Sequence, residues 1–182
     1  DYFSNHIPFH LFLRECCFKL LLTLCLKFTI LKLISMLEFQ RKEDYMKKNL
    51  DVLKGVSLFK GIEESELQPL LSCLSAKAVH YEKGQTVFHS GESIERFGIV
   101  LSGQVQVVQD DYYGNRSILA KIGAGNLFGE SFACAEIETL PVSVITTAES
   151  ELLFIDCRRL AVPCSRACGF HSRLIRNMLN IV

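Results

Sequence analysis

The spacing of apolar and polar positions changes along the chain, and each change predicts a different kind of structure. In residues 63–74 (EESELQPLLSCL) the leucines recur at helical spacing after two acids. This pattern predicts a short amphipathic helix, which Pro69 either kinks or confines to its last turns. After Ser75 the spacing shortens, and Val105 and Val107 alternate with glutamines. A period of two residues is typical of a strand with one face in water.

The segment that follows Ser75 contains many short apolar runs separated by turn signals. Residues 110–115 are polar and predict a hairpin turn, while the runs VSVITT and ELLFID add two further strands. Short strands at close intervals favour a β-sandwich or β-barrel. We therefore expect a mainly β fold with flanking helices.

The C-terminal segment SRACGFHSRLIRNMLNIV returns to helical spacing. It carries two adjacent apolar stripes, one of Leu174, Met178 and Ile181 and one of Ile175, Leu179 and Val182. One stripe can cover the barrel while the other meets a second copy of the same helix. Residues 163–182 are therefore predicted to begin a dimerisation helix that forms a homodimer through Leu174, Ile175, Met178 and Ile181.

Residues 1–45 differ in composition from the rest of the chain. Apolar residues crowd positions 9–37, but charges interrupt them, so no uncharged run approaches the roughly 18 residues of a membrane span. The chain begins with Asp1, and the codons for residues 41–45 can spell a purine-rich ribosome-binding sequence just before Met46. We expect residues 1–45 to be an untranslated leader; a genuine hydrophobic N-terminal segment is the alternative.

Charge and cysteine content narrow the range of partners and compartments. The 20 basic and 20 acidic residues balance, so no overall field attracts nucleic acid or an anionic membrane. The eight cysteines lack the regular spacing of a small secreted scaffold, and a core of this size needs no disulfide. We expect a reducing, cytoplasmic location and no membrane partner.

One stretch of the sequence resembles a known family. The run KGQTVFHSGESIERFGIVLSGQVQVV, followed by LFGE, is similar to the cyclic-nucleotide-binding β-roll of the Crp/Fnr transcription regulators. Its most specific residues are Gly84, Gly91, Gly103, Phe88 and Leu101. The resemblance extends from about Asp51 to Val182.

The resemblance implies a domain organisation for the chain. Residues 46–162 would form an N-terminal helix and an eight-stranded jelly roll, or double-stranded β-helix, interrupted by a phosphate-binding cassette. Residues 163–182 would start the dimerisation helix, which in this family precedes a helix-turn-helix domain that reads DNA. This chain lacks that last domain, so the resemblance implies DNA binding for the parent protein only.

The cassette combines residues that can hold an anion. A glycine lets the backbone approach a ligand, and the first amides of the next helical turn point toward it. Gly129, Glu130, Ser131 and Phe132 fit this description. In members of the family that bind cyclic AMP, this Gly-Glu is followed, after a short loop, by Arg-Ser-Ala or Arg-Thr-Ala. The Arg pairs with the cyclic phosphate and the Glu with the ribose hydroxyl.

This chain departs from that pattern at the arginine. Ser143 takes the place of the Ser or Thr, but Val142 stands where the arginine belongs. Losing one partner of a buried charge pair costs about 2–5 kcal/mol, whereas a helix N-terminus supplies about 0.3–1 kcal/mol. A micromolar site would weaken to roughly high-micromolar or millimolar affinity. We expect a different small-molecule effector, apolar or carboxylate-bearing, or a vestigial pocket.

Two alternatives to this interpretation of the cassette remain. Arg116 or Arg173 could supply the missing charge from elsewhere in the chain. Equally, the Gly-Glu-Ser and Pro-Val-Ser-Val segments could be an ordinary turn and strand of the roll with no ligand.

A cysteine-rich stripe is the other candidate chemistry. Cys164, Cys168 and His171 would share a helical stripe, with Cys157 nearby in sequence. Thiolates and imidazole are good ligands for zinc and iron, but the spacing matches no established site, and small apolar packing is favoured. No catalytic motif is present, so we expect neither an enzyme nor a required metal or cofactor.

The leading functional hypothesis is the cytoplasmic sensor and dimerisation half of a bacterial Crp/Fnr-type transcription regulator. An effector in the roll would shift the long helices and reorient DNA-binding domains, provided that it binds the DNA-competent state more tightly. The alternative is a stand-alone regulatory module without a DNA reader. A weaker alternative is a thiol or metal sensor that uses Cys157, Cys164 and Cys168.

Overall fold

A computed structural model describes residues 49–135, 137–161 and 169–182, together with positions 27, 30, 32, 33 and 36. The chain divides into two compact units, Asp1–Lys47 and Lys48–Val182. The five described positions of the first unit are helical. Within the described part of the chain, no helix has the length and apolar character to cross a membrane. The leader assigned to residues 1–45 stays a prediction.

Short helices open the second unit. They are α1 at residues 49–55, a 3-10 turn at Ser57–Phe59 and α2 at Glu64–Cys73. The predicted amphipathic helix is therefore confirmed as α2. It begins where the Glu66 carboxylate accepts a hydrogen bond of 3.1 Å from the backbone N–H of Glu63. Pro69 lies inside the helix, which continues through it to Cys73.

Eight strands form the body of this unit and confirm the predicted mainly β fold. They are β1 Lys77–Tyr81, β2 Thr86–Phe88, β3 Arg96–Ser102, β4 Gln104–Asp110, β5 Arg116–Gly123, β6 Leu127–Phe128, β7 Ser143–Thr146 and β8 Ser150–Asp156. Two four-stranded antiparallel sheets have the orders β1-β8-β3-β6 and β2-β7-β4-β5. Strand pairs β1–β8, β2–β7, β3–β6 and β4–β5 are nested, as in one long hairpin curled into a jelly roll.

The core lies between the two sheets. The rings of Phe88, Phe128 and Phe154 meet with centroids 5.7 to 6.2 Å apart. Val105 in β4 is buried as its alternation with the glutamines predicts, but Val107 is only half-buried. A shift in the pairing of β4 with β5 after Val107 turns Val108 into the core instead.

Gly98 in β3 allows the close approach of the next strand. It pairs with Phe128, and a Cβ atom on Gly98 would lie 2.0 Å from Cζ of that ring. Because Phe128 is 1% exposed, the ring has no room to move away. Glycine at this position therefore permits β6 to pack directly on β3.

Among the described residues, two helices follow the roll, α4 at Cys157–Ala161 and α5 at Gly169–Leu179. Leu174 and Met178 are buried within their own chain, while Ile175 and Ile181 are half-buried. The Asn177 side-chain amide donates hydrogen bonds of 2.9 Å to the carbonyls of Leu58 and Lys60. Burial leaves Leu174 and Met178 little surface for the dimer contact assigned to them.

The exposed side of α5 is a different set of residues. Leu179 is 76% exposed and Val182 is 64% exposed, next to the half-buried Ile175. The two predicted stripes thus differ in burial, and the second one is available to a partner. Dimerisation itself stays a prediction.

The cysteines depart from the expected thiol state. A disulfide joins Cys134 to Cys157, whose Cα atoms lie 5.7 Å apart. This bond was not predicted from the sequence; the two residues meet because the short helix ending at Cys134 packs against α4. Cys164 and Cys168 lie outside the described residues. Among the residues that the structure describes, no cluster of three or more metal-ligating side chains occurs. His171 is buried, and its Nε2 atom is 3.0 Å from the Leu160 carbonyl.

Candidate functional site

The predicted cassette begins with a left-handed glycine at the end of β6. Gly129 has φ +79° and precedes α3, the five-residue helix Glu130–Cys134. Its carbonyl accepts a hydrogen bond of 2.9 Å from the backbone N–H of Ala133. A Cβ atom on Gly129 would lie 3.2 Å from Cε2 of Phe88, so a larger residue would be both strained and crowded.

The three side chains after Gly129 have different environments. Glu130 is half-buried, and its Oε2 atom is buried without a hydrogen-bond partner among the described residues. Ser131 is exposed, whereas Phe132 packs against the apolar core of the roll. A buried oxygen without a partner is rare in proteins, so Glu130 can accept a hydrogen bond from a bound group.

Val142 and Ser143 lie at the start of β7. Val142 is 5% exposed, so its apolar side chain lies in the interior. Its correspondence to the arginine of the cyclic-AMP-binding pattern stays a prediction. The Ser143 hydroxyl oxygen accepts a hydrogen bond of 2.9 Å from the backbone N–H of Ser90. This serine therefore already ties β7 to the turn after β2, and its hydroxyl hydrogen stays available as a donor.

Backbone hydrogen bonds hold the loop before Val142 against the same turn. The Leu140 carbonyl accepts a hydrogen bond of 2.8 Å from Gly91 N–H, and the Leu140 N–H donates one of 2.8 Å to the carbonyl of Glu92. Leu140 is also a member of the apolar core. No local pattern in the sequence assigns a role to Leu140 or Ser90 or reveals this pairing.

The two arginines considered as substitutes are engaged elsewhere. Arg116 donates hydrogen bonds of 2.7 and 2.8 Å to the two carboxylate oxygens of Asp110 and lowers the pKa of that carboxyl. Arg173 donates to the carbonyl of Gly61, and its guanidinium is 3.9 Å from the Glu66 carboxylate. Neither arginine has the cassette as its partner.

A groove of about 720 Å³ lies at one end of the roll. Its lining residues are Ser75, Lys77, Val87, Phe88, Glu92, Ser93, Ile94, Glu95, Arg96, Phe154, Asp156 and Arg159. The Arg96 guanidinium lies 5.5 Å from the centroid of the Phe154 ring. None of the six predicted ligand-binding residues lines this groove, but Phe88 lines it and also borders Gly129.

Comparison with known families identifies the roll. Residues 78–162 match the family model described as "Cyclic nucleotide-binding domain". The chain contains a cyclic nucleotide-binding domain. The matched segment encloses both Gly129 and Ser143, so the predicted cassette lies inside the recognised domain. This finding confirms the family resemblance of the roll.

The domain is similar to segments of larger proteins. It is 31% identical over 101 residues to the cyclic AMP receptor protein of Thermus thermophilus, a match that covers 56% of this chain and 45% of that protein. It is 33% identical over 81 residues to the voltage-gated delayed rectifier potassium channel KCNH5 of Homo sapiens, covering 37% of this chain and 8% of the channel. The chain thus spans less than half the length of these two relatives.

The fold has solved counterparts. The sensor domain of the transcriptional regulator DNR from Pseudomonas aeruginosa superposes with a TM-score of 0.62 at 22% identity. The match covers 76% of this chain and 88% of that domain. At this identity the likeness shows a shared fold, and the effector of this cyclic nucleotide-binding domain has to be inferred from its own residues.

Proposed function

We propose that the cyclic nucleotide-binding domain of this chain is the sensor half of a Crp/Fnr-type bacterial transcription regulator that responds to an effector other than cyclic AMP. The observation that supports this proposal is the burial of the apolar Val142 beside Ser143, at the position where the sequence pattern predicts the phosphate-binding arginine. An apolar side chain there cannot neutralise a cyclic phosphate. The role is regulatory rather than enzymatic, and we place it in the cytoplasm.

The cassette limits the chemistry of the effector. The partnerless Oε2 atom of Glu130 favours a ligand with a hydroxyl or amine donor, because a carboxylate only accepts hydrogen bonds. The apolar Val142 favours an uncharged group at the position of the phosphate. An effector with a polar end near Glu130 and an apolar body satisfies both residues, although an organic acid held by Ser143 and the backbone amides stays an alternative.

The signal would leave the domain through its C-terminal helices. α3 packs on α4, and α4 packs on α5, where His171 Nε2 meets the Leu160 carbonyl. An effector that favours one arrangement of α3 would change the population of α5 positions. The exposed Leu179 and Val182 support a homodimer through α5, and DNA binding would require a helix-turn-helix domain beyond this chain.

Calorimetric titration of the 182-residue chain with cyclic AMP tests the proposal. We expect the wild-type chain to bind cyclic AMP no more tightly than high-micromolar. Val142→Arg should tighten binding by a factor on the order of 30 to several thousand, because it restores a charge partner worth about 2–5 kcal/mol.

Val142→Met is the matched control, since it adds length without charge and should gain nothing. Thermal unfolding of both variants establishes that they fold. Micromolar binding of cyclic AMP by the wild-type chain would refute the proposal, as would a folded Val142→Arg variant with unchanged affinity.

A further inference from the structure

The Cys134–Cys157 disulfide joins α3 and α4, two neighbouring helices of the signal route in the proposed function. Cys134 is the last residue of α3 and Cys157 is the first residue of α4, with 23 residues of sequence separation. Both residues are half-buried, so a small reagent can approach the pair. The proposed function does not require this bond.

Both helices joined by the disulfide are short and depend on tertiary contacts. The backbone N–H of Cys157 donates a hydrogen bond of 2.9 Å to the Glu95 carbonyl, and Leu160 is buried. Like α4, α3 has only five residues, too few for a helix to persist without its tertiary contacts. Those contacts are with β3 and α4. A covalent bond at Cys134 therefore adds a restraint to the contacts that hold α3 in place.

The position of the bond relates it to the cassette. Glu130 is the first residue of α3, one helical turn before Cys134. Fixing the C-terminal end of such a short helix also limits how far its first turn can move. The disulfide thus restrains the carboxylate that the cassette offers to an effector.

We propose that Cys134 and Cys157 form a reversible thiol–disulfide site, at which a small-molecule disulfide oxidises the pair and fixes the cassette helix to α4. In the reducing cytoplasm that we infer for this protein, a disulfide is transient and responds to redox conditions. This proposal for Cys134 and Cys157 does not depend on which effector the cassette binds.

The oxidation takes place in two thiol–disulfide exchange steps. One cysteine thiolate attacks a sulfur of the oxidant R–S–S–R, forms a mixed disulfide and expels the first RS⁻. The second cysteine thiolate attacks the protein sulfur of that mixed disulfide, forms the Cys134–Cys157 bond and expels the second RS⁻. The two protons lost by the cysteine thiols end on the two released R–SH molecules. The cysteines are oxidised and the reagent is reduced.

Equilibration of the full chain in glutathione buffers of varied redox ratio tests the site. After alkylation of free thiols, peptide mapping should show one bond between Cys134 and Cys157 in oxidised glutathione, and its complete loss with excess reduced glutathione. Cys134→Ser and Cys157→Ser should each abolish the bond. Cys73→Ser is the control and should leave it intact.

Two physical measurements connect the bond to the cassette. Oxidation should raise Tm by roughly 5–10 °C, as expected for a loop of this length. Hydrogen exchange of the amides of residues 129–135 should slow by at least about tenfold, because α3 can no longer separate from α4. Neither change should occur in Cys134→Ser.

Three outcomes would overturn the proposal. The first is failure of oxidised glutathione to form the bond in folded protein. The second is a bond that reduced glutathione cannot open without unfolding the chain, which would make it a permanent structural link. The third is a reversible bond that leaves exchange in residues 129–135 unchanged. None of these results bears on the affinity for cyclic AMP, so the two proposals fail separately.

Discussion

The hairpin between β4 and β5 and the cassette between β6 and β7 are both polar connections of the same roll, but their carboxylates have opposite environments. Asp111 accepts hydrogen bonds of 2.9 Å from the N–H of Tyr113 and 2.8 Å from the N–H of Asn115. In the cassette, the Oε2 atom of Glu130 is buried and has no partner among the described residues.

This difference separates a structural turn from a candidate site. The carboxylate of Asp111 is explained by the turn itself, because its hydrogen bonds replace those that an extended backbone would make. The Oε2 atom of Glu130 is buried and has no hydrogen-bond partner in the described chain, and such an atom is costly to leave unpaired. Residues that break a folding rule in this way are expected at functional sites. Three substitutions test the contrast.

Gly98→Ala is expected to have the largest effect on the stability of the fold. The added Cβ would lie 2.0 Å from Cζ of Phe128, and overpacking of this kind should lower the free energy of unfolding by about 3 kcal/mol. Because Phe128 precedes Gly129, hydrogen exchange should accelerate more in the cassette than in the hairpin. The control is Gly123→Ala, where no atom lies within 4 Å of the new Cβ. Equal Tm values for the two variants would contradict the packing described for β3 and β6.

Glu130→Met should have an intermediate effect on stability, and it should stabilise the fold where Gly98→Ala destabilises it. It removes a buried oxygen that lacks a partner, so the free energy of unfolding should rise by about 1–2 kcal/mol. Chemical denaturation measures this change, and Glu130→Gln is the control, since its amide still needs hydrogen-bond partners. A loss of stability in Glu130→Met would show that Glu130 is satisfied, and the cassette would then resemble the hairpin.

Asp111→Asn should have the smallest effect, a decrease in Tm on the order of 2 °C. The pH dependence of stability distinguishes this variant from the wild-type chain more clearly than Tm at one pH. Hydrogen bonds from Asn115 hold the pKa of Asp111 below its ordinary value of 3.8. The stabilisation is therefore present above pH 3.8 and is lost as the pH falls through the lower folded pKa.

Thermal unfolding from pH 6 to pH 2 measures this dependence. The wild-type chain should lose stability more steeply than Asp111→Asn at the acid end of the range. Parallel curves for the two proteins would mean that the carboxylate of Asp111 does not stabilise the turn.

Much of the fold was predictable from local patterns. The leucines of residues 63–74 predicted α2, and the alternation around Val105 predicted a strand. Gly129 and the residues after it predicted a short helix at the end of a strand. Each of these features depends on neighbours within one element, where side-chain period and backbone preference act directly.

The candidate site was predictable only in part. The absence of an arginine at Val142 is visible in the sequence, whereas the missing partner of Glu130 Oε2 is visible only once the surrounding side chains are placed. Likewise, the tie between Ser143 and Ser90 joins residues 53 positions apart, and no local pattern indicates it.

The sequence by itself predicted α2, the short strands after Ser75, the turns between them and the apolar residue at position 142 of the cassette. The tertiary structure decided which cysteines bond, which stripe of α5 is buried and which carboxylate lacks a partner. The physical reason is that side-chain period shows which face of an element is apolar, but not which distant element will cover it. Cys134 and Cys157 illustrate this limit, because the nested strands between them and the packing of α3 on α4 bring the two residues together.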